Sequence, residues 1–477
     1  MTVTRYSPTR TGVGPEACRR INLCSAAIPT KRAAGTVLDN DVTPPGPRCT
    51  GRIPTSGRVS DVPVLRPFHA LRPVPAHAAA VAAPPYDVVD VAEARALATG
   101  RPDSFLHVTR PEIDLPDGTD PHSDAVHDRA RAALAALVER GVLVRDEAPT
   151  LSVYRQQRAG SPLTGAGAID QTGIAGLASV ADYRAGRIAI HEHTRPDKED
   201  DRAAHLAAVA AHDEPVLLMY PGRAEIDVLV ASVVDRPPAI EFTDHDGITH
   251  SLWIVTESSE LAGLEAAFAT VPRLYVADGH HRSAAAARLH ERPDAPDGET
   301  DAFPVVAFPT EQLTVLPYQR VVAGPLPVRF PACLEDHFKV QTTGPAGSAA
   351  PTDLARHEFA MYAGGHWYRL TSYPRTVDET HPIARLDVAV LQDTVLAPLF
   401  GITNPRTDAR IAFVGGSRGA AELERLVDSG RYAVAFALCP TSPAEVMAVA
   451  DAGLVMPPKS TWFDPKLASG LFVHPLR

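Results

Sequence analysis

Leu274-Tyr-Val-Ala-Asp-Gly-His-His-Arg282 runs directly into Ser283-Ala-Ala-Ala-Ala-Arg-Leu-His290. Leu274–Ala277 reads as a short buried strand and Ser283–His290 as a helix. The tight turn between them carries a carboxylate, a glycine, two imidazoles and a guanidinium. A strand-turn-helix junction aims unpaired backbone N–H groups at whatever sits on the helix N-terminus. With His281 and Arg282 alongside, this turn suits an anion, most of all a phosphate. The bland alternative is a solvated turn, but few structural turns need so many polar groups in a row.

Working outward, strands alternate with helices, the pattern of an α/β protein with mixed sheets. Before the junction, Val62–Leu65, Leu151–Gln156, Thr172–Val180, Pro215–Tyr220 and Ser251–Val255 read as strands. Val91–Ala98, Ser123–Arg140 (stopped by Gly141), Lys198–Ala211 and Leu261–Ala269 read as helices. After it come strands Phe303–Phe308 and Thr314–Arg320, then a linker at Pro325–Pro331. The remainder predicts helix Leu386–Leu396, strand Arg410–Val414, helix Ala420–Val427 and strand Tyr432–Leu438. A last helix starts at Ser442, with Glu445 completing a capping box. The expected organisation is a disordered tail over 1–61, a main α/β domain over 62–324 and a C-terminal α/β region over 325–477.

The 477 residues carry a net charge of −11. Residues 1–58 hold nine Lys/Arg and three Asp/Glu, or +6, so the remainder stands at −17. An acidic body argues against non-specific nucleic-acid binding. No apolar run reaches the length of a membrane span. Five scattered cysteines show neither metal spacing nor a disulfide framework, which favours a reducing cytoplasm. The tail lacks a signal-peptide pattern, and Val59 is an expected alternative start. Only five of the 46 basic residues are lysine, and Lys198, Lys459 and Lys466 all fall in polar clusters. Where Arg is the default cation, a retained Lys marks a site that wants a compact ammonium.

Three further clusters carry chemistry. Ala83-Pro-Pro-Tyr-Asp87 is a proline-fixed loop that either presents Tyr86 and Asp87 to a substrate or uses Asp87 to cap the next helix. His191-Glu-His-Thr-Arg-Pro-Asp-Lys-Glu-Asp-Asp-Arg202 has the charge density to hold Mg2+ and phosphates, or to form a solvated, ion-paired helix face. Its His spacing is not that of a helical zinc motif. Met456-Pro-Pro-Lys-Ser-Thr-Trp-Phe-Asp-Pro-Lys466 offers Lys459 and Ser460 to a phosphate, or straps Trp462 and Phe463 into the body. Gly415-Gly-Ser-Arg-Gly419 is only a weak phosphate-loop signal.

Together with Arg66-Pro-Phe-His-Ala-Leu-Arg-Pro73, Ser104-Phe-Leu-His-Val-Thr-Arg-Pro-Glu112 and Leu316-Pro-Tyr-Gln-Arg320, these motifs resemble the uncharacterised DUF1015 family over residues 62–477. Asp278-Gly-His-His-Arg282 is also similar to the phosphate-contacting motif of free-serine kinases, which have the ParB/sulfiredoxin-like fold. That likeness implies a ParB/sulfiredoxin-like core elaborated by the C-terminal α/β region. It implies a nucleotide-dependent phosphotransferase acting on a small hydroxy amino acid such as free L-serine, with ATP or ADP and Mg2+. A nucleotide-binding switch or an Asp/His hydrolase are the alternatives.

On this reading Asp87, with Glu93 as a second candidate, is the general base. Gly279, His280, His281, Arg282, Arg202, Lys459 and Ser460 surround phosphate, and Lys198 neutralises transferred charge. Asp278 holds Mg2+ or the turn, and Glu192 and Glu199 hold metal. Arg72, Tyr86 and Arg110 bind substrate. The expected partners are a small-molecule substrate and a nucleotide.

Overall fold

A computed structural model describes residues 64–476 except 161–166, 294, 297–298 and 348–349. The expected tail, the Val59 start and the first half of the Val62–Leu65 strand lie outside the described residues. Leu65 itself is not in a strand; its neighbour Arg66 forms an isolated bridge to Leu177.

The architecture is mixed α/β, built on an eight-stranded and a six-stranded sheet. Strand Leu274–Asp278 lies inside the larger sheet, parallel to Ile188–Ala189 and antiparallel to Val216–Tyr220. Its apolar run is buried throughout, as expected for a strand covered on both faces. A bulge between Val276 and Asp278 breaks the ladder to Val216–Tyr220 and re-aims the strand end. Beyond Val216–Tyr220 the order continues through Ala302–Pro309, Ile169–Ser179, Leu151–Arg158, Thr249–Val255 and Ile240–Thr243.

The helix after the junction spans His280–Glu291, with Gly279 in the left-handed region at φ 95°. Its small Ala284–Ala287 face is buried, and Ala285 and Leu289 share a core with Ala203 and Leu206 of helix Pro196–Val209. Small side chains let the two helices approach closely. That packing sets the Lys198 end of one helix beside the His281 end of the other.

The six-stranded sheet runs Phe338–Pro345, His366–Ser372, Glu358–Ala363, Val434–Leu438, Tyr318–Val322 and Ile411–Gly415. The expected Thr314–Arg320 strand is split. Pro317 has no N–H to give a ladder, so Thr314–Leu316 pairs with Trp462–Asp464 while Tyr318–Val322 enters the second sheet. The expected Leu386–Leu396 helix holds a π-helical segment, Gln392–Leu396. Ser442 and Glu445 form the expected capping box. One apolar core joins Met219, Val306 and Phe308 of the first sheet to Phe359, Phe436 and Leu438 of the second. Phe463, Leu467 and Phe472 belong to it as well.

Candidate active site

The Asp278–Arg282 turn, the Tyr86–Asp87 loop and the start of helix Pro196–Val209 line one cleft of about 970 Å³. Three clusters far apart in sequence therefore converge. No cap side chain bonds the first turn of helix His280–Glu291. The backbone N–H groups of His280, His281 and Arg282 thus lack partners within the helix, and the positive end of its dipole meets the cleft.

The two imidazoles of the turn are uncharged at neutral pH. Burial, then the neighbouring His191, pushes His280 well below its ordinary value. The His191 and His280 rings meet edge to face at 4.5 Å. Burial lowers His191 to about 4. Burial also lowers His281, against Asp87 and Glu199. Among the described residues, His280 Nε2 and His281 Nδ1 are buried without a hydrogen-bond partner. Two ring nitrogens without partners thus lie at one helix terminus, a place that a ligand or water can complete.

The Tyr86–Asp87 loop is braced from behind. Tyr86 N and Ser469 Oγ donate to Glu214 Oε1 at 3.0 and 2.7 Å, and Arg110 Nη1 donates to Tyr86 O at 3.0 Å. The Arg202 guanidinium lies 4.4 Å from the Tyr86 ring centroid and pairs with Asp213 at 2.5 Å and Glu214 at 3.2 Å. His205 Nε2 is 2.9 Å from Asp213. Against the upward push of burial, Arg202 and His205 hold Asp213 below the usual carboxylate range. Glu214 goes the other way, raised by burial despite Arg202. Asp87 does not cap the following helix; Asp90 does, in a capping box with Glu93. Asp87 is exposed, lines the cleft, and enters no hydrogen bond or ion pair among the described residues.

Several of the expected site residues are engaged within the fold. Arg72 is buried away from the cleft, pairing with Asp146 and donating to Thr150 Oγ1 (2.9 Å) and Ser152 Oγ (3.0 Å). These bonds anchor its strand, and Arg72 is not among the residues lining the cleft. The Arg202 side chain is spent on the Asp213–Glu214 network. Arg282 is likewise buried, donating to Asp278 Oδ2 at 2.6 Å and to Pro215 O. Its guanidinium fixes the turn from inside rather than reaching a ligand. Glu199 accepts from Thr194 Oγ1 and from Arg288 Nε (2.5 Å), tying two helices together. Ser460 is buried and donates to Pro457 O at 2.6 Å. Glu93 is consumed by the capping box.

Other expected residues do line the cleft: Tyr86, Asp87, Arg110, Glu192, Lys198, Asp278, Gly279, His280, His281 and Lys459. Burial raises Glu192, against Lys459 and Arg406. Against burial, Lys466 and Arg282 hold Asp278 well below the carboxylate range. With Asp278 bonded to both cations, Glu192 is the one unpaired carboxylate of the proposed metal set. Among the described residues no three His, Cys, Asp or Glu are grouped to hold a metal. Mg2+ would fit here only with phosphate oxygens completing its shell.

Lys466, Trp462, Tyr318 and Arg418, which stand in motifs read from the sequence, also line the cleft, as do Arg425 and Arg431, which no motif marked. Lys466 bonds Asp278 and lies 5.1 Å from the Trp462 ring centroid. Lys459, held at φ 55°, sits 5.0 Å from the Tyr318 ring centroid. Asp213 and Glu214 carry no local signal, because only tertiary packing buries them beside Arg202.

A family pattern described as a protein of unknown function matches residues 65–389. The chain belongs to the DUF1015 family. No curated protein matches the sequence of this DUF1015 member. Solved structures similar to it include a free serine kinase mutant in complex with ADP, 12% identical with a TM-score of 0.31, covering 61% of this chain and 87% of that one. Truncated SbnI from Staphylococcus aureus is 15% identical with a TM-score of 0.34, covering 63% and 87%. A conserved hypothetical protein from Pyrococcus furiosus is 13% identical with a TM-score of 0.30, covering 62% and 95%. Among the described residues no helix is long and apolar enough to cross a membrane.

Proposed function

We propose that this DUF1015 protein binds a nucleoside phosphate in the cleft and transfers a phosphoryl group to a small hydroxylated metabolite. The observation that carries this reading is charge. Eight Lys/Arg and four Asp/Glu line the cleft, in a body whose remaining surface is strongly acidic. A basic cleft in an acidic protein concentrates anions. Arg320 adds to the field. It is buried, donates to Tyr318 O (2.5 Å) and Lys459 O (3.1 Å), and has no carboxylate partner among the described residues. Trp462 and Tyr318 supply ring faces for a base.

Phosphoryl transfer asks for charge neutralisation, alignment and a base. The free N–H groups at His280 and His281, with Lys198, take the phosphate that is transferred. The acceptor oxygen attacks phosphorus as the bond to the leaving nucleotide oxygen breaks. Its proton passes to the Asp87 carboxylate. Mg2+, arriving with the nucleotide, would be shared with Glu192.

Calorimetric titration with ADP and ATP in Mg2+, followed by mass spectrometry after incubation with candidate alcohols and L-serine, tests the reading. Binding with a product heavier by one phosphoryl group is expected. Binding without transfer turns the reading to a nucleotide switch, and no binding of either nucleotide overturns it.

A further inference from the structure

The Ala83–Val88 loop has a second cavity on its other side, of about 680 Å³. Pro84 and Pro85 face this cavity, whereas Tyr86 and Asp87 face the cleft. Val88, Trp462 and Lys466 line both spaces, so the two adjoin at these residues.

The chemistry of the second cavity is unlike that of the first. Its walls include Leu97, Leu106, Ile169, Ile248, Leu316 and Leu467. Most of the charged groups on it already have partners. Arg158 pairs with Asp464 at 2.9 Å, and Asp244 Oδ2 lies 2.9 Å from His250 Nε2. His245 faces Asp246 at 3.4 Å, Arg101 donates to Ala79 O at 2.9 Å, and Lys466 is bonded to Asp278. A charged group entering here would leave water for walls that are mostly apolar. Two polar groups on its lining are left over: Trp462 Nε1 and Arg158 Nε are buried with no acceptor among the described residues.

We propose that this cavity is the acceptor site, and that the acceptor is an uncharged alcohol with an apolar aliphatic or aromatic body. The inference rests on the phosphotransfer reading of the cleft and replaces the amino-acid acceptor expected from the sequence. The body occupies the leucine-lined space, and the hydroxyl oxygen accepts from Trp462 Nε1 where the two spaces meet. In the transfer the acceptor O–P bond forms, the nucleotide P–O bond breaks, and the hydroxyl proton goes to Asp87. The volume lies in the range of sites that enclose most of a small molecule.

Saturation-transfer NMR on the full chain with benzyl alcohol, cyclohexylmethanol and L-serine tests this. Both alcohols should receive saturation and serine should not. Val89 lines the cavity and not the cleft. Val89→Trp should weaken benzyl alcohol by about tenfold or more while ADP affinity holds. Should that variant fail to fold, tryptophan emission decides: benzyl alcohol should shift the emission of the unmutated protein, and Trp462→Phe should abolish the shift. Serine displacing the alcohol, an alcohol signal that survives Val89→Trp, or an emission change that survives Trp462→Phe would each overturn the inference. The arms separate the two readings. Lost alcohol binding with ADP binding intact removes this inference alone, whereas absent ADP binding removes the phosphotransfer reading.

Discussion

Arg282→Ala should damage the fold far more than it damages nucleotide binding. The guanidinium is buried and makes two bonds, one to Asp278 and one to Pro215 O. Removing one partner from a buried ion pair costs about 3–5 kcal/mol. Asp278 keeps Lys466, which places this term at the low end. The stranded Pro215 carbonyl adds about 1–3 kcal/mol. The sum, about 4 kcal/mol or more, is a large part of a typical domain's stability. Urea denaturation of wild type and variant, with ADP titrations on the folded fraction, reads both quantities. Arg282→Lys should recover only part of the loss, since an ammonium cannot reproduce the planar fork. An unchanged denaturation midpoint with ADP affinity reduced by about tenfold or more would refute this account and return Arg282 to the phosphate.

Asp87→Asn should lower turnover by about 10²–10⁴ while ADP affinity stays level, and a smaller rate loss would move the base elsewhere. Gly279→Ala should cost about 1–3 kcal/mol, because φ is 95° and the new Cβ would lie 2.9 Å from Arg282 Nε; thermal melts that coincide with wild type would contradict the strain. Acid should destabilise the protein through its neutral histidines. His191 titrates at about 4 when folded, so the unfolded chain, at the ordinary 6.5, takes the proton first. Its contribution is complete above about pH 6.5, falls by about 2 kcal/mol by pH 5, and continues to fall towards pH 4. Urea titrations at pH 7.5 and 5 should show this slope, flattened in His191→Gln; an equal slope in that variant would assign the effect to other groups.

The parts of the fold with strong local periodicity were legible from residues alone. Helix Val91–Ala98, the buried strand at Leu274 and the capping box at Ser442 needed only spacing and cap chemistry. Strands Phe338–Pro345, Glu358–Ala363 and His366–Ser372 went unread, although Gly364-Gly365, both at positive φ, is a hairpin signal. Within the site, positions were easier to read than roles. The Asp278–Arg282 turn does reach a cleft, yet an arginine in a motif does not announce which way it points. Arg72, Arg202 and Arg282 look like anion binders in sequence and are internal fasteners in space. Distinguishing these requires the carboxylates they meet, Asp146, Asp213 and Asp278, two of which lie in segments that no motif singled out.

The segment from Trp462 to Pro475 bears on how the protein can be taken apart. It pairs with Thr314–Leu316, bridges Ala83 and Leu71, and meets Ala211–His212. Five of the cleft's eight cations lie beyond residue 389, where the family match stops. A fragment trimmed to that boundary would keep the helix terminus but lose most of the positive lining, the Trp462 wall and the cover over Asp278. Such a piece would bare the Thr314–Leu316 edge and remove Phe436, Phe463 and Phe472 from the core they share with Met219 and Phe308. Ligand in the cleft would act as a clasp between segments nearly four hundred residues apart, so protease resistance at Trp462–Pro475 should rise with ADP concentration.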